Sequence, residues 1–350
     1  MNICIVTVYK GNCGTCLQAY STYKTLKDLG HNVVFLFQDT PNGNLSFKQR
    51  MKTFMIKCLK LEFNSAKLLL NSDKAFKKFE CKFPTIKLEE IDKSDVDLFV
   101  LGSDTIWNFN SPYFYDKRNI YTGKAFGSGK SITYAASAAN TPYETFVKDL
   151  AIKEGIEGLK AISVRDEDTK AIVKRLTERE ATVVCDPTML VEKQIFDEFL
   201  IDIPDKKYIL IYAFGTFSKE AQEEILDLKK KKNLEVISLG ENRSWCDKSI
   251  PYDVYAFVSY FKNASFVITD TFHGTIFSII NEKNFAEYGS RQKKIANLLK
   301  DVQLTESVKS EETSLTQMFE KGLDYSFANE KIKTLRKESL NYLKENLLER

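Results

Sequence analysis

Short apolar runs recur along the chain, and each is followed by a stretch of helical periodicity. The runs cover residues 3–8, 33–37, 98–101, 132–135, 162–164 and 183–184, with helical patterns at 17–29 (closed by Gly30), 145–156 and 167–176. Strands that alternate with helices build a parallel sheet with crossover helices. After Pro187 and the linker-like stretch 201–207 (IDIPDKK) the alternation starts again. Strands are expected at 208–214, 235–239, 266–269 and 285–288, and helices at 219–230, 253–261 and 275–280. Ser218 fits an N-cap, with Glu220 in the favourable first turn. A long amphipathic helix is expected at 329–350, carrying Ile332, Leu335, Leu340, Leu343 and Leu347. The reading is an α/β chain of two Rossmann-like domains, 1–200 and 201–328, with the long C-terminal helix 329–350.

Length agrees with two domains, because 350 residues exceed the ~250–300 that one core usually holds. A composition of 43% hydrophobic and 28% charged residues is that of an ordinary globular protein. The net charge of +3 gives no global field for nucleic acid. The first residues, MNICIVTVYKGNCG, lack the basic leader and cleavage site of a signal peptide, and no run reaches the ~18–20 apolar residues of a membrane span. Seven cysteines, an odd number, then point to reduced thiols and a cytoplasmic protein. Residues 48–87 hold eleven Lys/Arg against three Asp/Glu, within a helical insertion expected over 47–88. Two roles fit this region: a core-facing helix with a solvated basic face, or a face resting on anionic lipid or a lipid-linked phosphate.

In open α/β sheets the ligand sits beyond the carboxyl ends of the strands, so the chemistry is sought there. After the first strand comes Lys10-Gly-Asn-Cys-Gly-Thr-Cys16, where two glycines allow close backbone approach to a ligand. Its CxxC spacing admits a redox pair or a set of small residues in a tight turn. After the strand at 98–101 comes Gly102-Ser-Asp-Thr-Ile-Trp-Asn108; Asp104 either caps the next turn or orients a hydroxyl. Arg165 follows the strand at 162–164, as an anion ligand or as an ion-pair partner of Asp166 or Asp168. Asp186 reads as fixing the turn before Pro187. His273, one of only two histidines, stands with Gly274 at a strand end and at the expected start of a helix. A helix start favours an anion, and a histidine there can give it a proton. Arg291, with Lys293 or Lys294, is a second candidate anion clamp. No metal-ligand spacing is present, so the chemistry is expected to be metal-independent and free of a bound cofactor.

Taken in order, residues 12–20 (NCGTCLQAY), 102–108 (GSDTIWN), 163–166 (SVRD), 186–188 (DPT) and 269–274 (TDTFHG), with Ser290-Arg291 followed by Ile295 and Leu298-Leu299, resemble the polysaccharide pyruvyl transferase family. The resemblance implies a GT-B-like fold, two Rossmann-like domains facing across a cleft, with the acceptor on the first and the donor anion on the second. It implies transfer of a pyruvyl group from phosphoenolpyruvate to sugar hydroxyls, with a ketal formed and phosphate released. It makes His273 the general acid and carries the family's strand-end aspartate and arginine onto Asp104 and Arg165. Asn12, Gly14, Ser103, Trp107, Thr271, Gly274, Ser290, Arg291, Lys293 and Lys294 form the expected substrate-binding set; Thr271 stands where some members have arginine.

The expected partners are phosphoenolpyruvate and a sugar or lipid-linked glycan acceptor at the inner membrane face, without nucleic acid. Two alternatives stay open at this stage. One is a glycosyltransferase of the same architecture, with Glu241 or Asp270 holding the ribose of a nucleotide-sugar. The other is a non-catalytic subunit of a polysaccharide-synthesis complex.

Overall fold

The computed structural model describes residues 1–38, 72, 74–92, 95–289 and 292–348. The helix expected from residue 47 to 70, with most of its basic face, lies outside the described residues, as do Ser290 and Arg291. The described chain forms two compact units. One holds residues 1–38, 79–191 and 334–348; the other holds 72, 74–78 and 192–333.

The first unit is built on a parallel sheet of five strands: β1 (Asn2–Val6), β2 (Asn32–Leu36), β3 (Thr85–Ile86), β4 (Leu98–Leu101) and β5 (Ser131–Thr133). They lie in the order β3-β2-β1-β4-β5. A parallel pair, β6 (Ser163–Val164) and β7 (Thr182–Val183), continues beyond β5 through the bridges Ile132–Ala161 and Ala136–Val164. Strands β1 and β4 are apolar and almost wholly buried, as strands covered by helices on both faces must be. The helices include α1 (Cys13–Asp28), α2 (Tyr143–Val147), α3 (Leu150–Glu157), α4 (Glu167–Thr177) and the short α5 (Pro187–Leu190). α1 begins well before the expected residue 17. The Asn12 side chain accepts the Thr15 N–H at 2.8 Å, so the Cys-Gly-Thr-Cys stretch is helix rather than turn. Asp149 caps α3 and divides the helix expected at 145–156 into two.

The second unit repeats the plan. Strands β8 (Tyr208–Tyr212), β9 (Glu235–Leu239), β10 (Lys248–Ile250), β11 (Phe266–Thr269) and β12 (Phe285–Glu287) run parallel in the order β10-β9-β8-β11-β12. Its helices include α6 (Lys219–Lys232), α7 (Val254–Asn263), α8 (Phe272–Ile280) and α9 (Lys293–Asp301). Ser218 caps α6 through the Ala221 N–H, as the sequence suggests. Among the described residues, no helix is long and apolar enough to cross a membrane.

The long helix α10 (Ser326–Leu347) does not stand apart as a segment of its own. Its part from residue 334 onward belongs to the first unit. There Tyr342 donates to the Thr133 carbonyl at 2.9 Å, Arg336 donates to the Met189 carbonyl at 3.0 Å, and the Ser339 hydroxyl accepts the Cys185 N–H at 3.0 Å. Ser339 is completely buried, so removing its oxygen strands a buried backbone donor. Ser339→Ala should therefore destabilise the protein by about 1–3 kcal/mol, read as a lower urea midpoint at unchanged slope. A midpoint equal to the parent's would show that the helix does not hold this strand end.

Candidate functional site

Strand order decides where each unit can bind a ligand. In the first sheet β1 has β2 on one side and β4 on the other, so the connections that leave β1 and β4 diverge. That divergence opens a crevice at their carboxyl ends. In the second sheet the equivalent strands are β8 and β11. Asp104 follows β4 and His273 follows β11, so the two leading candidates stand at the switch points of their own units.

In the first unit the loop after β4 is tightly built. Gly102 has φ +114°, and a Cβ there would collide with the Tyr134 carbonyl oxygen. Asp104 has φ +69°, a left-handed conformation that aspartate tolerates better than most residues. Its carboxylate is held from two sides: Thr15 Oγ1 donates to Oδ2 at 3.3 Å, and Arg165 Nη1 approaches Oδ1 at 3.4 Å. Arg165 Nη1 also reaches Asp186 Oδ2 at 3.1 Å. The side chains of Arg165 and Asp186 are only 5% and 1% exposed, whereas that of Asp104 keeps 23%. Burial by itself would pull the guanidinium's pKa down; the charges of Asp104, Asp186 and Asp166 outweigh it and hold it above the ordinary arginine value. Arg165 is therefore the buried counter-ion of Asp104 and Asp186. The ion pair that the sequence offered as an alternative is formed, but with other partners than Asp166 or Asp168. Asp166 instead caps α4, accepting from Thr169 N and Oγ1 and from Ser137 Oγ. Asp186 caps α5, taking Thr188 N and Oγ1 on Oδ1, which leaves Oδ2 for the guanidinium.

The other first-unit candidates lie in the core or at the start of α1. Trp107 is fully buried and donates its indole N–H to the Tyr121 carbonyl at 2.9 Å, so it is a core residue and not a substrate contact. Ser103 is fully buried, its hydroxyl donating to Gln18 Oε1 at 2.9 Å. Asn12 is spent on the α1 cap, and Gly14 is buried inside that helix. Cys13 and Cys16 are buried and form no disulfide, and burial pushes the Cys16 thiol well above the ordinary range, away from the reactive thiolate that a redox pair uses.

In the second unit α8 starts at Phe272, so His273 and Gly274 lie inside its first turn rather than before it. The cap is Thr271, whose hydroxyl accepts the Gly274 N–H at 3.0 Å and pairs with Thr269 Oγ1 at 3.1 Å. Thr271 thus shapes the helix start. Gly274 is required by packing: a Cβ would overlap Thr269 Oγ1 and sit 2.8 Å from Tyr212 Cδ1. His273 is half-buried, its ring edge-to-face with Phe272 at 5.6 Å. Lys294 lies over the same Phe272 ring, its ammonium 5.3 Å from the ring centre. Lys293 opens α9 and, like Lys294, is exposed.

Asp270 and Arg243 together lock the loop after β8. The Asp270 carboxylate accepts the N–H groups of Phe214 at 2.9 Å and Gly215 at 2.7 Å. Arg243 Nη2 donates to the carbonyls of Ala213 at 2.7 Å and Gly215 at 2.9 Å. Asp270 is thereby committed to the protein's own backbone, and Glu241 is an exposed loop residue. Thr15 and Gln18 lie in the 12–20 stretch but gain their roles only through packing, and Arg243 stands too far past the end of β9 to carry a strand-end signal. Among the described residues no group of three or more His, Cys, Asp or Glu is placed to hold a metal ion.

If Arg165 is a buried counter-ion, Arg165→Leu should cost about 3–5 kcal/mol in urea unfolding, because Asp186 is left buried without its cation. A solvent-facing anion ligand would instead give a near-neutral or stabilising change.

A family model described as polysaccharide pyruvyl transferase matches residues 12–286. No curated protein matches the chain. Among solved structures, the UDP-GlcNAc 2-epimerase from Neisseria meningitidis bound to UDP-GlcNAc is similar, with 13% identity, a TM-score of 0.54 and 100% of both chains covered. A protein from Listeria monocytogenes assigned as UDP-N-acetylglucosamine 2-epimerase is also similar, with 9% identity and a TM-score of 0.51 over 98% of this chain and 94% of that one. At such identities the likeness establishes the fold: two Rossmann-like units of GT-B type.

Proposed function

The chain belongs to the polysaccharide pyruvyl transferase family, and from that premise we propose that it moves a pyruvyl group from phosphoenolpyruvate to sugar hydroxyls of a surface-polysaccharide precursor. The acceptor is a sugar, carried on a lipid at the cytoplasmic membrane face; the basic stretch at 48–87 suits peripheral contact with such a surface. The observation that carries the reading is His273 in the first turn of α8, at the switch point of its unit.

The overall reaction balances as phosphoenolpyruvate plus two sugar hydroxyls giving a pyruvate ketal and phosphate. One hydroxyl proton ends on the methylene carbon, which becomes methyl, and the other ends on phosphate. His273 as imidazolium protonates the methylene carbon, and C2 becomes electrophilic. Asp104, the partly exposed carboxylate at the end of β4, takes the proton of the attacking hydroxyl. The C2–O bond to phosphate then breaks, and the second hydroxyl closes the ketal. The positive end of α8 and the cations Lys293 and Lys294 offset the charge of the donor. Arg291, outside the described residues, is proposed to join them. No metal or bound cofactor enters this scheme.

Replacing His273 by Ala or Gln should lower phosphate release from phosphoenolpyruvate and acceptor by about 10²–10⁴-fold, with the unfolding midpoint kept near the parent's. Full activity in both variants would remove His273 from the mechanism and favour a non-catalytic role for the chain.

A further inference from the structure

Gln18 sits in the middle of α1 and is completely buried. We propose that Gln18 is a positioning residue for the Asp104 carboxylate, acting through Ser103 and Thr15. The inference rests on Asp104 being the base for the acceptor hydroxyl.

The amide's partners fix its orientation. Gln18 Nε2 donates to the carbonyls of Val8 and Thr15, each at 2.9 Å, and meets Thr7 Oγ1 at 3.2 Å. Carbonyls only accept, so the NH2 group must face them. Oε1 is thereby turned to the Ser103 hydroxyl, which donates to it at 2.9 Å. Thr7 Oγ1 in turn donates to the Ser103 carbonyl at 3.2 Å. Gln18 and Thr7 thus hold Ser103 from two sides, one by its hydroxyl and the other by its carbonyl.

Two routes lead from Gln18 to Asp104. The first is covalent: Ser103 directly precedes Asp104, so a fixed Ser103 carbonyl fixes the peptide plane from which the φ of +69° departs. The second runs through Thr15. Its carbonyl takes the Gln18 amide, its N–H is taken by the Asn12 cap at 2.8 Å, and its hydroxyl donates to Asp104 Oδ2 at 3.3 Å. Arg165 holds the other carboxylate oxygen. One side chain thus ties the end of β1, the first turn of α1 and the loop after β4, which are the walls of the first unit's switch point. Only an amide can do this. A glutamate would face the Val8 and Thr15 carbonyls with like partial charge, and an apolar residue would leave the Ser103 hydroxyl without its acceptor.

A buried amide that merely stabilises the fold would use the same bonds, so the test separates the two roles. Steady-state phosphate release from phosphoenolpyruvate would be compared in the parent, Q18M, S103A, D104N and Q18M/D104N. Positioning predicts that Q18M lowers kcat by about tenfold or more while KM for phosphoenolpyruvate stays within about twofold, and S103A moves the same way by less. It also predicts that Q18M costs nothing further once Asp104 is already Asn. An equal loss in both backgrounds, or a loss that only tracks the folded fraction, would overturn it. A second readout needs no turnover. The 13C carboxyl resonance of Asp104, assigned by its absence in D104N, should change its titration midpoint in Q18M or S103A. If the parent releases no phosphate from phosphoenolpyruvate, the reaction assignment fails and this resonance decides the positioning claim alone. An unmoved resonance in both variants overturns it.

Discussion

A parallel strand pair whose two connections leave in opposite directions is the constraint on which the rest of this structure depends. In the first unit the pair is β1 and β4; in the second it is β8 and β11. Parallel pairing aligns their carboxyl ends, and diverging crossovers leave those ends uncovered by the neighbouring helix. Everything with a chemical role follows from that placement. The α1 start, the Asp104 loop, the Phe214–Gly215 loop and the His273 helix start each leave one of these four strands.

Both units then treat the loops beside the crevice in the same manner: they fix backbone with side chains. In the first, Gln18 and Thr7 hold Ser103, and a buried guanidinium shared by two carboxylates holds Asp104 and Asp186. In the second, Asp270 takes two N–H groups of the loop after β8 while Arg243 takes two of its carbonyls. The charged residues nearest the switch points are therefore spent largely on the protein itself. A buried ion pair is costly unless its hydrogen bonds are complete; the arrangement is better understood as rigidity than as stabilisation. The reading proposed here accordingly assigns donor charge to the α8 start and the α9 cations.

Much of this was legible in the sequence. The strands at 98–101, 235–239 and 266–269 coincide with apolar runs because strands buried on both faces have no other way to be written. The edge strands β3 and β10 were missed: Thr85–Ile86 is two residues long, and Lys248–Ile250 is partly polar, as an edge allows. Two helix starts were placed too late, at residues 17 and 275. The cap Asn12 sits among glycines and cysteines, and Thr271 in a polar knot that ends in Gly274, and both stretches read as loop. Looking at strand ends found Asp104, Arg165 and His273. It did not reveal that Arg165 is paired with Asp104, a partner 61 positions away, since pairing is a property of the packed sheet. Trp107 went to the core for a similar reason: following a site residue by three positions says nothing about which way an indole turns. Gln18, inside a helix, had no strand-end signal at all.

The donor identity is the central claim, and ligand-dependent thermal unfolding tests it most directly. Phosphoenolpyruvate would be compared with UDP-GlcNAc and other nucleotide-sugars at matched concentrations. A ligand at ~100 times its dissociation constant adds about 2.7 kcal/mol, enough to raise the midpoint by a few degrees. The account predicts that phosphoenolpyruvate raises it and nucleotide-sugars do not. A rise with a nucleotide-sugar and none with phosphoenolpyruvate would contradict it, and would make this chain a glycosyl-transferring member of the fold.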